Sequence, residues 1–123
     1  MDVKKLNQAI EILKEDMAAG LLATDIYGTA DGQSLAGWNS NPYACALFNQ
    51  ITGDMIKALK GAGFPTLGQY YIMELVDNKT VVVMNLGDFQ WGMLVDRTKA
   101  QMGLILNVVM PKILKTFQEA IAG

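Results

Sequence analysis

Residues 69–97 read Gln-Tyr-Tyr-Ile-Met-Glu-Leu-Val, Asp-Asn, Lys-Thr-Val-Val-Val-Met-Asn-Leu, Gly-Asp, Phe-Gln-Trp-Gly-Met-Leu-Val-Asp-Arg. Three runs rich in β-branched and aromatic residues are separated by two pairs of turn formers. Asp77-Asn78 tolerates positive φ, and Gly87-Asp88 adopts it more easily still, so both pairs suit tight hairpin loops. The spacing predicts an antiparallel meander over 69–76, 79–86 and 89–97. Neither face of it is polar. Val81 and Val83 alternate with Thr80, Val82, Met84 and Leu86, and Phe89, Trp91, Met93 and Val95 alternate with Gln90, Gly92, Leu94 and Asp96. Apolar residues on both faces of a strand require cover on both sides, so the flanking chain must supply helices for each.

The first of these helices is written in Val3, Leu6, Ile10, Leu13 and Met17, a narrow apolar seam that predicts a helix over 3–18. Asp2 suits its start and Gly20 its end. Strands follow at 21–27 and 33–38, joined by a Gly28-Thr29-Ala30-Asp31-Gly32 loop. That loop has neither the Gly-x-x-x-x-Gly-Lys spacing of a P-loop nor the alternating ligands of a calcium loop, so it reads as a turn. Asn41-Pro42 opens a second helix to about Lys60. Its expected core stripe is Ala44, Leu47, Phe48, Ile51, Met55, Ala58 and Leu59. Cys45, Asn49, Thr52 and Ile56 form a second strip beside it, wider cover than one sheet face needs, which points to a second packing partner such as a symmetric copy of the same helix. The last helix is expected over 99–122, with Met102, Ile105, Leu106, Val109, Ile113, Phe117, Ala120 and Ile121 inward and Pro111 bending it.

Composition limits the functions open to such a domain. In 123 residues, 51% are apolar, 18% are charged, and the net charge is −2. That suits one globular domain over 1–123 and lacks the basic stripe of a nucleic-acid binder. No window approaches the roughly 20 apolar residues of a membrane span, and the N-terminal residues have no apolar core of a signal peptide. With a single Cys, the chain reads as a soluble cytoplasmic protein.

The predicted order is α-β-β-α-β-β-β-α. With Gly20-Leu-Leu-Ala-Thr-Asp, the Asp31-Gly32-Gln-Ser-Leu-Ala turn and Met102-Gly103-Leu104-Ile105, nearly the whole chain resembles the roadblock/dynein light chain family. The resemblance implies an α+β fold, a five-stranded antiparallel sheet in order 2-1-5-4-3, with helix two on one face and helices one and three on the other. It also implies dimerisation through strand three and helix two, and partnership with small Ras-like GTPases as an activator or scaffold. On this chain the expected dimer contacts are Cys45, Asn49, Thr52, Ile56, Tyr70, Ile72 and Glu74. Two Glu74 side chains directly opposite would repel unless offset or paired with a cation. The expected GTPase-facing residues are Gln50, Gly53, Asp54, Lys57 and Lys60.

Catalysis is not expected. The chain has no His, the usual general base and the commonest metal ligand. Cys45 has no activating neighbour in sequence, and the carboxylates fall mostly at turns and strand ends, so neither a cofactor nor a metal is expected. Any stimulation of a GTPase through an inserted arginine would fall to Arg97, the one Arg of the chain. The rival reading is a small-molecule sensor holding a ligand between sheet and helix, lined by Tyr27, Trp38, Tyr70 and Trp91.

Overall fold

The structure is a computed structural model that describes residues 2–122. Helix α1 (Val3–Met17) starts on Asp2, whose carboxylate accepts the Lys4 amide at 2.9 Å. It stops one residue earlier than expected because Ala18 turns left-handed at φ 48°. Gly20 has a different task from ending the helix: a Cβ there would stand 2.4 Å from that of Ala100, so only glycine lets these two segments meet.

Strands β1 (Leu21–Gly28), β2 (Ser34–Trp38), β3 (Tyr70–Leu75), β4 (Lys79–Leu86) and β5 (Phe89–Asp96) form one antiparallel sheet in order β2-β1-β5-β4-β3. The two expected hairpins are present. Asp77 and Asn78 both take positive φ (60° and 59°), the pair of left-handed residues that a twisted two-residue hairpin requires, and Gly87 supplies the same conformation at 62°.

Register fixes what each face carries. Met84 pairs with Trp91, Val82 with Met93 and Thr80 with Val95. These residues pack, with Leu21, Ile26 and Ala36, against Leu6, Ile10 and Leu13 of α1 and Ile113 and Phe117 of the last helix. Trp91 sits at the centre, fully buried, its ring edge-on to Phe117 at 5.4 Å. Its indole N–H donates to Thr24 Oγ1 at 2.7 Å, and that hydroxyl donates in turn to the Gly92 carbonyl. Burying an indole requires such a partner for its polar edge.

The last helix, α3 (residues 102–122), begins later than expected because Asp96 holds the preceding turn, accepting both the amide and the hydroxyl of Thr98. It is also not uniformly α-helical. A π-helical turn at Ile105–Val109 lies between Met102–Leu104 and Met110–Ala122, with the Met110 amide donating five residues back to the Ile105 carbonyl. The irregularity attributed to Pro111 is therefore a widened turn just ahead of it. Lys112 pairs with Asp16 at 3.0 Å and ties α3 to α1.

Helix α2 (Pro42–Gly61) covers the opposite face, as expected. Its rotation is not as expected. Cys45 and Thr52 are buried against the sheet, at 2% and 0% exposure, whereas Leu47 of the expected core stripe is 53% exposed. Thr52 can face inward because its hydroxyl is satisfied twice, by the Phe48 carbonyl at 2.7 Å and the Tyr71 hydroxyl at 2.8 Å. A buried threonine with both partners costs little. Asn49 reaches the Thr29 carbonyl at 3.0 Å, and Ile56 is half-buried. The strip expected to meet a second copy is thus the one laid on the sheet. The outer flank is Ala44, Leu47, Ile51, Met55 and Ala58, and these apolar residues range from half-buried to exposed.

Candidate interaction surface

Strand β3 is a sheet edge. The Gln69 carbonyl accepts the Asn85 amide at 2.8 Å, and from there the antiparallel alternation turns the main-chain groups of Tyr71, Met73 and Leu75 toward β4. Those of Tyr70, Ile72 and Glu74 therefore point away from the sheet. Tyr70 and Ile72 are about 40% exposed (41% and 40%), an apolar stretch on an open edge.

The apolar flank of α2 lies on the same side of the molecule. Ala44 and Phe48 line a common cavity with Leu75 of β3, while the opposite flank faces the β1–β2 loop, where Gly32 approaches Ala46 and Asn49 closely. The β3 side chains on the α2 face are Tyr71, Met73 and Leu75, whereas Tyr70, Ile72 and Glu74, paired with Met84, Val82 and Thr80, stand on the α1/α3 face. Of the residues expected to face a GTPase, Gln50, Asp54, Lys57 and Lys60 are exposed on α2 and Gly53 is half-buried.

Glu74, the charge that complicates pairing of two such edges, has a cation. Arg97 stands 3.5 Å from it. The same guanidinium donates to the Lys79 carbonyl at 2.5 Å and to Thr80 Oγ1 at 2.6 Å. The chain's one arginine is therefore a strand clamp. Arg97→Ala should cost about 1–3 kcal/mol in chemical denaturation, because it unpairs two part-buried acceptors. Glu74→Ala should cost under about 0.5 kcal/mol, since an exposed ion pair contributes little.

The start of α2 hangs on a carboxylate that lies at neither a turn nor a strand end, where most of the carboxylates are expected. Asp25 is buried in the middle of β1. Its carboxylate accepts from the Ser34 hydroxyl at 2.8 Å, from the Ser40 hydroxyl, and from the Asn41 amide at 3.0 Å. Asn41 in turn caps the helix by accepting the Tyr43 and Ala44 amides. Gly37 makes room, for a Cβ there would overlap Asp25 Oδ1 at 2.2 Å. The signal was in the sequence: a single acid inside the run Leu-Leu-Ala-Thr-Asp-Ile-Tyr, followed by Ser34, Ser40 and Asn41.

Burial shifts the ionisable side chains beside that cluster. Burial, and secondarily the Asp25 charge, push the Cys45 thiol up to about 12, so it stays protonated at neutral pH. Burial raises Tyr27 well above the ordinary phenol range and raises Tyr71 too, against a lowering by its hydrogen bond to Thr52. Among the described residues no three His, Cys, Asp or Glu side chains gather as a metal site would require. No helix of the described residues is long and apolar enough to cross a membrane. Between α2 and the sheet lies an open cavity of about 260 Å³. Of the four aromatics expected to line such a space, Tyr27 does. Trp91 is buried in the core on the other face, Trp38 packs against that core, and Tyr70 stands on the β3 edge.

No protein-family model matches the chain. No curated protein sequence matches it either. Solved structures do. Myxococcus xanthus MglB is similar at a TM-score of 0.82 and 13% identity, over 98% of this chain and 90% of that one. A roadblock/LC7 domain from Streptomyces avermitilis is similar at 0.65 and 12%, over 95% and 98%. Acanthamoeba castellanii profilin IA is similar at 0.54 and 14%, over 85% and 92%. The chain has the fold these proteins share, and at such identities the likeness is one of fold.

Proposed function

From the premise of a roadblock-type fold, we propose that this protein is a non-catalytic module that pairs with a second copy of itself and binds a small Ras-like GTPase. The observation that carries the pairing is the open β3 edge running beside the apolar flank of α2. Two copies joined there would continue the sheet and cover Leu47, Ile51 and Met55 at once. The contact set is then the β3 main-chain edge, with Tyr71, Met73 and Leu75 beside that flank and Tyr70, Ile72 and Glu74 on the other face of the joined sheet, and Cys45 and Thr52 support it from inside each protomer. Arg97 answers the Glu74 repulsion. Paired second helices would present Gln50, Gly53, Asp54, Lys57 and Lys60 to the GTPase. Because Arg97 is occupied as a clamp, any stimulation of hydrolysis works by ordering the GTPase's own residues, and a scaffold role needs none.

Sedimentation tests the first half. Ile72→Lys with Leu47→Glu should convert a dimer to a monomer with the fold intact, since both positions are exposed. A wild-type chain that stays monomeric at about 100 μM would refute self-pairing. Affinity capture from source lysate with GDP or a non-hydrolysable GTP analogue tests the second half. A Ras-like GTPase should be enriched in one nucleotide state and lost with Lys57→Glu and Lys60→Glu together. Its absence in both states would overturn the GTPase reading while leaving the dimer standing.

A further inference from the structure

The cavity between α2 and the sheet has a composition that narrows what it can hold. Its walls are apolar, built from Ala23, Ala44, Phe48, Leu75, Val81 and Leu94. Its polar lining comes from Thr24, Asp25, Tyr27, Asn41 and Cys45. The polar groups there are not equally free. Asp25 already accepts three hydrogen bonds from Ser34, Ser40 and Asn41. The Tyr27 hydroxyl, on a side chain 2% exposed, has no hydrogen-bond partner among the described residues. A buried hydroxyl without a partner is costly, so it calls for a hydrogen-bonding atom in the space beside it.

We propose that this cavity is a binding site for a compact, uncharged, largely apolar molecule of one or two rings, carrying a hydrogen-bonding atom for Tyr27. The volume, about 260 Å³, lies near the lower end of small-molecule sites and is too small for a nucleotide or a long acyl chain. The buried Asp25 carboxylate, with only neutral groups around it, disfavours anions such as fatty acids. An aliphatic side chain from a second copy could fill the apolar walls but would leave the Tyr27 hydroxyl unpartnered. The site stands independently of any GTPase, since no residue facing the GTPase lines it.

Indole and toluene are suitable probes, one with a hydrogen-bonding N–H and one without. Both should shift the methyl NMR signals of Leu75 and Leu94 and leave those of Leu86 unmoved. Ala23→Leu should abolish both responses by filling the cavity. Tyr27→Phe, which removes a buried hydroxyl and should fold normally, should weaken indole about threefold to tenfold and leave toluene unchanged, as expected for one hydrogen bond. The proposal is overturned if neither probe shifts those methyls at millimolar concentration. Persistence of the shifts in Ala23→Leu, or indole binding equally well to Tyr27→Phe, overturns it too. If the two leucine signals respond to protein concentration and not to indole, a second copy fills the space and the proposal fails.

Discussion

Asp25→Ala is expected to lower stability by about 3–5 kcal/mol, much of the total that holds a domain of this size together. The substitution removes one buried carboxylate and strands three donors at once: the Ser34 and Ser40 hydroxyls and the Asn41 amide. Each loses a part-buried hydrogen bond to a carboxylate, roughly 1.5–3 kcal/mol apiece before water at these exposed residues replaces part of it. The loss also releases the segment that sets Asn41 in place to cap α2, so fraying should start at the N-terminal end of that helix. Asp25→Asn is the informative control. Its carbonyl can still accept from hydroxyls, but its amide would face the Asn41 N–H donor to donor, so about half the loss should remain. Urea denaturation read by circular dichroism gives both values. Equal stability of Asp25→Ala and wild type would show that the hydrogen bonds around Asp25 contribute nothing net.

Trp91→Ala should be comparably severe, at about 3–5 kcal/mol, for a different reason. It empties the largest side-chain volume in the core and removes the ring that Phe117 abuts. Trp91→Phe separates the two contributions. It restores much of the volume and loses the hydrogen bond to Thr24, so it should cost less than half as much. The Thr24 hydroxyl still donates to the Gly92 carbonyl in either variant, which limits the polar part of the loss. The same denaturation experiment reads this series, and a Phe variant as unstable as the Ala variant would assign the effect to the indole N–H.

The hairpins were legible because turn chemistry is local. Asp77-Asn78 and Gly87-Asp88 need only their own backbone preferences to fold the meander, and α1 needs only its single seam of apolar residues. The rotation of α2 was not legible, because that helix is apolar or small over nearly half its circumference. Periodicity then ranks Leu47 above Thr52, while the fold buries Thr52 through a phenol hydroxyl 19 residues away that no helical wheel contains. The candidate surface divides in the same way. That Tyr70, Ile72 and Glu74 share one face follows from strand alternation, while their place on a sheet edge was implied by the resemblance and not by the local sequence. The pairing of Glu74 with Arg97 was not legible, since Arg97 meets it across β4 through contacts that exist only in the folded sheet. Sequence alone groups Asp25 with the carboxylates of turns and strand ends, because the partners that hold it in mid-strand come from two later segments.

The π-helical turn in α3 explains how a run of equal steps stays on one face. Ile105, Val109, Ile113 and Phe117 are all buried, each four residues after the last. On an unbroken α-helix such steps drift by about 40° each, which over the run would carry the last side chain away from the core. The wider turn absorbs that drift early, so the helix carries in effect one surplus residue there. Its length is therefore negotiable at this one place. Loss of a single residue from the exposed side of the turn, where Asn107 and Val108 sit, would return the segment to regular α-helix and leave Met110–Ala122 seated on the core as before.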